Sequence, residues 1–418
     1  MTVEYITSKN LFLLICDALN LMDKSLVKHG TRVSYIMSRM LECKGGYEKF
    51  EIADFMLLAV LHDIGAYKTD DVRKPLSYEA KNVLPHSIYG YLFLKYLSPL
   101  TEQSKMILYH HVDTSKIQGI DYAYLEETEI LKVAEITDIW MRAFGDKFDY
   151  HMLEKYKGTK FSEKAIALLY EAVEKYDIFT KLADGTYQQE FEESLEYVLL
   201  SDEEKDKYIR MLMYCTGLKD EEMVANTIET ICVCRELATK MRLSEMDKNE
   251  IYYGALLHDL GMLTIPTNLL NAPRKLEDSE INLIRTHVGT ITQLLQGRVS
   301  KNIIDIVEAH HERFDGSGYP KGLKGGSMNE KQAILQIAET VVNMSVDKPY
   351  RKAYSKEEIM EELNNGIVDG KFEGIVADTL MKNYDDIMTK AREKADATLV
   401  THQKLKRNSE QVYKNFTK

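Results

Sequence analysis

Nine of the 11 histidines in this 418-residue chain fall into two ordered sets of metal-capable residues. Each set contains a His-Asp pair, a single histidine, a His-His pair and a glutamate, in that order. Imidazole nitrogens and carboxylate oxygens are ligands that proteins use for iron, manganese, zinc and nickel. The first set is His29, His62, Asp63, His86, His110, His111 and Glu135, and the second is His258, Asp259, His287, His310, His311 and Glu339.

The chemistry that such sets support is metal-assisted hydrolysis. A carboxylate beside a histidine can bridge two ions about 3.5–4 Å apart, and such a pair generates hydroxide at neutral pH and stabilises charge on a phosphoryl oxygen. A single His-Asp or His-His pair is more often a structural feature than a metal site. The recurrence of the whole set leaves only His151 and His402 outside it. We therefore predict a metal centre in each half of the chain.

The two sets lie in an internal repeat. The segment MLLAVLHDIG (56–65) recurs as YYGALLHDLG (252–261), and ILKVAE (130–135) recurs as ILQIAE (334–339). The offset drifts only from 196 residues (His62 to His258) to 204 residues (Glu135 to Glu339). This pattern indicates a tandem duplication of one domain of roughly 180 residues.

Helices must position these ligands, because apolar residues recur at helical spacing and no alternating strand of useful length is present. With only 22 glycines and 7 prolines, we predict an all-α protein with two tandem helical bundles. Gly65 and Gly261 end the helices that carry the His-Asp pairs, and a left-handed cap is expected at each. The predicted divisions are a first domain at 1–180, a helical linker at 181–218 with a break at Asp184–Gly185, a second domain at 219–400 and a polar tail at 401–418.

Helices carrying this order of ligands resemble the HD superfamily of metal-dependent phosphohydrolases. In the second repeat, HDLGMLTIPTNLLNAPRKL, THVGT, HHERFDGSGYPKGLKG and DKPYRKA resemble the HD-GYP family, whose members hydrolyse cyclic dinucleotides such as cyclic di-GMP. The first repeat is similar to a diverged copy. The resemblance implies two tandem HD-type domains with two or three divalent ions, iron or manganese, at each competent site. It also implies catalytic roles for His258 and Asp259, and for Asp63 in the first repeat.

The loop after the second His-His pair is expected to fold over the substrate. Gly316 and Gly318 permit tight or left-handed turns, and Pro320 fixes the exit of the loop. Tyr319 would stack on a base or hydrogen-bond a phosphate. The expected substrate-binding residues are Arg313, Asp315, Gly316, Gly318, Tyr319, Pro320 and Lys321, with Arg285 and Arg351 as further candidates to hold a second phosphate.

Two substitutions separate the second repeat from the family pattern. Asn226 stands where the family has its first metal histidine, and Glu222, on the same helical face, is a candidate extra ligand. Met262 stands where the family has a lysine, so a charge that contacts phosphate is absent. The first repeat keeps its ligands but has HHVDTSKIQGID in place of the loop. We therefore expect turnover at the second repeat and a structural or regulatory first repeat.

Bulk properties limit the partners. The net charge of −12 argues against a nucleic acid duplex, which needs a basic face, but not against a small anion such as a cyclic dinucleotide. Five cysteines without zinc-type pairing, and no signal peptide, predict a soluble cytoplasmic protein. No apolar run approaches the roughly 18 residues of a membrane span. Protein partners stay unassigned.

Two alternatives remain open at this stage. A degenerate receptor or scaffold would keep the fold and turn over little, as Asn226 and Met262 favour. A nucleotide phosphohydrolase active at the first repeat is the other. The intact motifs of the second repeat favour the cyclic dinucleotide phosphodiesterase.

Overall fold

The structure, a computed structural model, describes residues 5–68 and 84–416. Within these ranges the chain forms α-helices, short 3-10 turns and isolated β-bridges, and it contains no strand. The prediction of an all-α fold is confirmed. The chain divides into two compact units, which comprise the described parts of 15–208 with 404–418 (the first unit) and of 1–14 with 209–403 (the second unit).

Ten helices precede residue 200 within the described ranges. Their bounds are α1 (Ser8–Met22), α2 (Lys24–Lys44), α3 (Lys49–Val60), α4 (Leu84–Leu97), α5 (Lys105–Tyr109), α6 (Thr114–Ile117), α7 (Leu125–Phe144), α8 (Glu163–Tyr176), α9 (Ile178–Asp184) and α10 (Tyr187–Ser194). Helix α9 ends where the sequence predicted a break, and Gly185 follows it with a φ of 89°.

Ten more helices follow. Their bounds are α11 (Asp202–Thr216), α12 (Glu221–Lys240), α13 (Glu245–Leu257), α14 (Thr267–Leu270), α15 (Asp278–Leu295), α16 (Lys301–Glu308), α17 (Glu330–Ser345), α18 (Lys356–Val368), α19 (Gly374–Lys382) and α20 (Tyr384–Phe416). No helix within the described ranges combines the length and the apolar composition needed to cross a membrane.

The first unit is organised around helix α2. Its N-cap, Asp23, accepts hydrogen bonds from the backbone N–H groups of Ser25 and Leu26, which fixes where the helix begins. Helix α2 packs against α3, α7 and α8 and buries most of its length, including His29 and Arg32. The ligand-bearing helices of this unit are thus held around one central element.

The second unit repeats this plan around helix α12, which packs against α13 and α17. Asp220 caps α12 by accepting a hydrogen bond from the backbone N–H of Glu222. The core joins α12 and α17 to α18, α19 and the start of α20 through residues such as Leu237, Ile337, Leu363 and Ile387, all fully buried. This core leaves the ends of α13, α15 and α16 free to converge on the ligand set.

Gly65 and Gly261 do not form left-handed caps, so that sequence prediction is wrong. Neither glycine has a positive φ, because α3 and α13 end earlier and each continues through a 3-10 turn, Ile64–Tyr67 and Leu260–Thr264. A Cβ at Gly65 would lie 2.0 Å from the carbonyl oxygen of His86, and one at Gly261 would lie 2.1 Å from that of His287. These glycines let the next ligand-bearing helix approach the His-Asp turn.

Candidate metal centres and substrate cavities

Both units present their candidate ligands from equivalent places. The His-Asp pair follows α3 or α13, the single histidine lies on α4 or α15, the His-His pair follows α5 or α16, and the glutamate lies on α7 or α17. Adjacent residues of a helix point about 100° apart. A pair placed just beyond a helix end can instead turn both side chains toward one point.

Asp63 lies at the middle of the cluster in the first unit. Its Oδ1 is 3.4 Å from Nε2 of His86 and 3.9 Å from Nε2 of His110, and its Oδ2 is 3.3 Å from Nε2 of His62 and 3.9 Å from Nε2 of His29. The rings of His62 and His110 are 5.6 Å apart between centroids. This spacing is within the roughly 8 Å that ligands of one two-ion centre can span.

Glu135 completes the cluster of the first unit. Its Oε1 lies 3.5 Å from Nδ1 of His111, and its Oε2 lies 3.9 Å from Nε2 of His110. All seven residues predicted for the first set therefore meet in one place.

The donor atoms of the first cluster fit a bound metal. Among the described residues, the buried atoms without a hydrogen-bond partner include Nε2 of His29, His62 and His110, both carboxylate oxygens of Asp63 and Oε1 of Glu135. Buried polar atoms normally have partners, and an orphaned one costs about 1–3 kcal/mol. Six such atoms in one cluster, whose residues form two groups of mutually close ligand atoms, are best explained by divalent cations that they would coordinate.

Hydrogen bonds to the backbone fix which ring nitrogen of His62 and His258 faces the cluster. Nδ1 of His62 lies 2.7 Å from the carbonyl oxygen of Ala59, and Nδ1 of His258 lies 2.8 Å from that of Ala255. Nδ1 therefore donates its proton to the carbonyl, which leaves Nε2 free to bind a metal. The pairing is made within one helical turn, so the sequence repeat reproduces it in both units.

His29 is oriented by a carboxylate. Its Nδ1 lies 2.6 Å from Oδ2 of Asp138. The same Oδ2 lies 2.9 Å from Nε of Arg142, and Oδ1 of Asp138 pairs with Nε of Arg32. Burial raises the pKa of Asp138, but the hydrogen bond from His29 and the two guanidinium groups outweigh it and lower that pKa to about 2. Sequence reasoning missed Asp138, although it lies one helical turn after Glu135.

The cluster of the second unit gathers Asp259 and the four predicted histidines. Asp259 Oδ2 lies 3.3 Å from Nε2 of His258, and its Oδ1 lies 3.8 Å from Nε2 of His287. Nε2 of His287 is 3.1 Å from that of His310. The Asp259 side chain is 23% exposed, against 5% for Asp63. The second cluster is therefore the more open of the two.

Glu339 reaches the second cluster from α17. Its Oε1 lies 3.5 Å from Nε2 of His311, and its Oε2, which is buried without a hydrogen-bond partner, lies 4.0 Å from Nε2 of His310. Asn343, one turn later, donates a 3.2 Å hydrogen bond to Oε1. This hydrogen bond orients the carboxylate of Glu339 at the second cluster.

Both centres hold protons that a metal would displace. Burial acts to lower the pKa of His62, but the carboxylate of Asp63 outweighs it and raises this pKa to about 9. His258 beside Asp259 behaves in the same way, with a pKa of about 9. Burial raises the pKa of Glu339 to about 8. Since metals bind the deprotonated forms, ion binding at neutral pH must release protons.

The second unit differs from the first around the position of His29. Asn226 occupies the corresponding place on α12, and the register of α17 puts Val342 where Asp138 stands. Asn226, Val342 and Glu222 line one cavity beside Asp259. The second unit therefore lacks both a histidine and the carboxylate that would orient it, while Glu222 stands near enough to this cavity to remain a candidate ligand.

This cavity, named here the Lys348 cavity, has a volume of about 320 Å³ and opens onto the second cluster. Met262, which was predicted to stand where the family has a lysine, forms part of its wall. Lys348 lines the same cavity, half-buried, and its ammonium has no hydrogen bond or ion pair within the part of the chain described. Burial lowers the pKa of Lys348, and Asp259 acts in the opposite direction. The sequence motif DKPYRKA contains Lys348, but no role was predicted for this residue.

The loop of residues 312–323 folds back beside the second cluster. Glu312, fully buried, accepts hydrogen bonds from the backbone N–H groups of Lys321 (2.6 Å) and Leu323 (2.8 Å). Gly316 has a φ of 84°, and a Cβ at Gly318 would lie 2.3 Å from the backbone nitrogen of Arg313. Both glycines are therefore required by the loop. Sequence reasoning missed Glu312, whose partners lie 9 and 11 residues away.

Tyr319 lies directly against the cluster. Its ring stacks on that of His311 with 4.6 Å between centroids and 28° between planes, and the guanidinium of Arg285 lies 5.0 Å from its centroid. The Tyr319–Pro320 peptide bond is cis. Burial, followed by the charges of Glu339 and Asp259, raises the pKa of Tyr319, so its hydroxyl stays a hydrogen-bond donor.

The remaining predicted substrate-binding residues shape the loop. Asp315 accepts hydrogen bonds from the backbone N–H (2.9 Å) and hydroxyl (2.7 Å) of Ser317. Lys321 pairs with Glu308 at 2.6 Å, and Pro320 is exposed. Arg313 lines a further cavity on the other side of His311. Arg313 and Tyr319 are thus the predicted loop residues whose side chains face a cavity.

Models of the HD domain match residues 26–140 and residues 210–372. The chain carries two HD domains in tandem. The first HD domain contains the buried cluster around Asp63, and the second contains the open cluster around Asp259. The family match thus falls on the residues that the structure brings together in each unit.

Curated relatives match either most of this chain or about a third of it. The chain is 25% identical over 397 residues to 3′3′-cGAMP-specific phosphodiesterase 1 of Vibrio cholerae, covering 89% of this chain and 90% of that protein. It is 30% identical over 161 residues to a cyclic di-GMP phosphodiesterase of Thermotoga maritima, covering 38% of this chain and 44% of that protein.

A solved structure shares the fold of the whole chain. The crystal structure of a cyclic GMP-AMP specific phosphodiesterase of V. cholerae superposes with a TM-score of 0.57 at 14% identity. It covers 91% of this chain and 98% of that chain.

Proposed function

We propose that this protein is a metal-dependent phosphodiesterase that opens a cyclic dinucleotide at its second HD domain. The observation that carries the proposal is the junction of the open cluster around Asp259 with the Lys348 cavity and the loop residue Tyr319. The curated relatives, which act on 3′3′-cGAMP or cyclic di-GMP by name, support the same substrate class.

The second cluster is suited to two divalent ions, iron or manganese, which supply Lewis-acid stabilisation and an activated water when bound. The ligands proposed are His258, Asp259, His287, His310, His311 and Glu339, with Glu222 as a candidate extra ligand. A third ion would bind only if another residue, such as Glu222, supplied the ligand that Asn226 does not. His-rich sites with carboxylates suit these metals by ligand type.

The chain's own groups bind and orient the substrate. The ammonium of Lys348, which has no hydrogen bond or ion pair to any described residue, lines the cavity, so it would attract a phosphate to the cluster. The hydroxyl of Tyr319 would donate a hydrogen bond to a phosphate oxygen. Charge that develops on the phosphate during hydrolysis would be stabilised by these fixed donors without reorganisation.

The first HD domain is proposed as a structural metal centre. Its buried ligand atoms include several without a hydrogen-bond partner among the described residues. It also carries HHVDTSKIQGID where the second domain has its loop. Neither a receptor without turnover nor an active first domain explains the open second cluster as directly.

The proposal is tested by loading the purified full chain with manganese or iron(II) and incubating it with 3′3′-cGAMP and with cyclic di-GMP. Chromatography should show linear dinucleotide from one or both substrates. If calorimetry detected binding of a cyclic dinucleotide but no metal supported its hydrolysis, the protein would be a receptor and not an enzyme.

A further inference from the structure

Two cavities meet at the second cluster. Besides the Lys348 cavity, a cavity of about 430 Å³, named here the Arg313 cavity, shares His311, Glu339 and Asn343 with it. Each volume falls within the roughly 300–1,000 Å³ typical of small-molecule sites. The walls that belong to the Arg313 cavity alone include Arg313, Ser317, Thr340, Asn365, Lys371 and Phe372.

Arg313 is a half-buried cation that forms no ion pair with any described residue. Its guanidinium lies 5.0 Å from the ring centroid of Phe372 and donates one hydrogen bond, 3.2 Å long, to the hydroxyl of Thr340. Among the described residues no carboxylate oxygen lies within 4 Å of it. Arginine has five N–H donors, and a buried charge is normally paired. The unsatisfied donors of Arg313 therefore indicate an anionic ligand.

Apart from Lys348, which lines the other cavity, the further candidate cations near the cluster are engaged or exposed. Lys321 pairs with Glu308, and the guanidinium of Arg351 donates to backbone carbonyls, among them that of Lys352 at 3.0 Å. Arg285 is exposed and lies over the ring of Tyr319. Lys348 thus faces the Lys348 cavity, and Arg313 is the candidate to hold a ligand's charge in the Arg313 cavity.

The substrate class supplies a matching second anion. A cyclic dinucleotide has two phosphodiesters in one ring, so when one lies at the cluster the other must lie to its side with a nucleoside attached. We propose that the Arg313 cavity is the subsite for this second half, with Arg313 holding the phosphate that is not cleaved. This inference rests on the proposed function.

The walls of the cavity agree with a nucleoside occupant. Phe372, largely buried with Arg313 over its ring, contributes an apolar part of the wall, and the amide of Asn365 and the hydroxyl of Ser317 offer hydrogen-bonding groups. Ser317 and Tyr319 line different cavities, so Gly318 lies where the loop divides them. The loop would thus contact both halves of one bound cyclic dinucleotide.

The test compares Arg313→Met and Arg313→Lys with a charge-matched control, Lys301→Met. Lys301 is exposed and pairs with Asp305 on the same helix, so its loss removes one positive charge away from both cavities. Each metal-loaded full-length variant is assayed on a cyclic dinucleotide and on bis(p-nitrophenyl) phosphate, a diester with a single phosphate.

Arg313→Met should raise KM for the cyclic dinucleotide by about tenfold or more, because a desolvated charge pair is lost, and should leave kcat within about threefold. Hydrolysis of the small diester should stay within about twofold, and Arg313→Lys should recover part of the affinity. An unchanged KM for the cyclic dinucleotide, or equal losses on both substrates, would overturn the subsite.

Failure of the proposed function gives a different result. If the wild type cleaved the small diester and left every cyclic dinucleotide intact, binding measured by calorimetry would decide between the two ideas. Cyclic dinucleotide binding that weakens about tenfold in Arg313→Met would support the subsite in a receptor. The absence of binding to the wild type would overturn it.

Discussion

Nδ1 of His29 lies 2.6 Å from Oδ2 of Asp138, and the second HD domain has neither residue at the corresponding positions. Asn226 and Val342 stand there instead and line one cavity. A carboxylate that orients a ligating histidine typically contributes 10–100-fold to metal affinity. The loss of both members indicates that the second domain has given up a complete ligand position.

Restoring this position should need two substitutions. Asn226→His alone should raise the metal affinity of the second domain little, because the new imidazole has nothing to orient it. Asn226→His with Val342→Asn should raise it about tenfold more. Asparagine is chosen because Glu229 occupies the place of Arg32, so a second carboxylate would meet a like charge. Calorimetric metal titration of the full-length single and double variants measures both affinities. A single variant that binds metal as tightly as the double variant would contradict this prediction.

Metal binding should release protons at pH 7. The pKa of His62 and that of His258 are raised to about 9, so both rings are protonated at pH 7 in the metal-free chain and must lose that proton to coordinate an ion. Apparent metal affinity should therefore rise with pH and level off above about 9. Calorimetry in two buffers of different ionisation enthalpy at pH 7 counts the protons, and identical heats in the two buffers would contradict the assignment.

Two glycines of the second domain make a matched pair. Gly261→Ala should lower the melting temperature and the metal content, because its Cβ would lie 2.1 Å from the carbonyl oxygen of His287 and push α15 away from the His-Asp turn. The control Gly289→Ala lies on helix α15 itself. Its added Cβ would meet no atom within 4 Å, so the substitution should stabilise α15 by up to about 1 kcal/mol. Calorimetric melting with metal analysis tests the pair, and equal effects of the two changes would count against the close approach.

The order and spacing of the sequence sets were enough to predict the helical fold and the residues that converge. His62 and His110 are 48 positions apart, yet their rings lie 5.6 Å apart, as the duplicated pattern required. Spacing did not predict why Gly65 and Gly261 are needed, because the contact that requires each glycine comes from the next ligand-bearing helix. The left-handed cap, a rule that considers only the helix end itself, was therefore the wrong explanation for these two glycines.

The sequence did not predict the residues that act through partners far along the chain. Asp138 orients a histidine 109 positions away, and Lys348 faces Asp259 across a cavity that no linear pattern describes. Asp315 and Lys321 were predicted to bind the substrate, yet their side chains pair with Ser317 and Glu308, which lie no more than 13 positions away. Only the three-dimensional position separates a charge that shapes the loop from one that faces a cavity.

The central claim is that turnover occurs at the second HD domain. The most direct test is the rate of cyclic dinucleotide hydrolysis by metal-loaded Asp259→Asn and Asp63→Asn, with melting temperatures to confirm that both variants are folded. Asp259→Asn should abolish measurable hydrolysis, because it removes the central carboxylate of the open cluster, whereas Asp63→Asn should keep most of it. If Asp63→Asn abolished hydrolysis while Asp259→Asn preserved it, the first HD domain would be the enzyme and this account would be wrong.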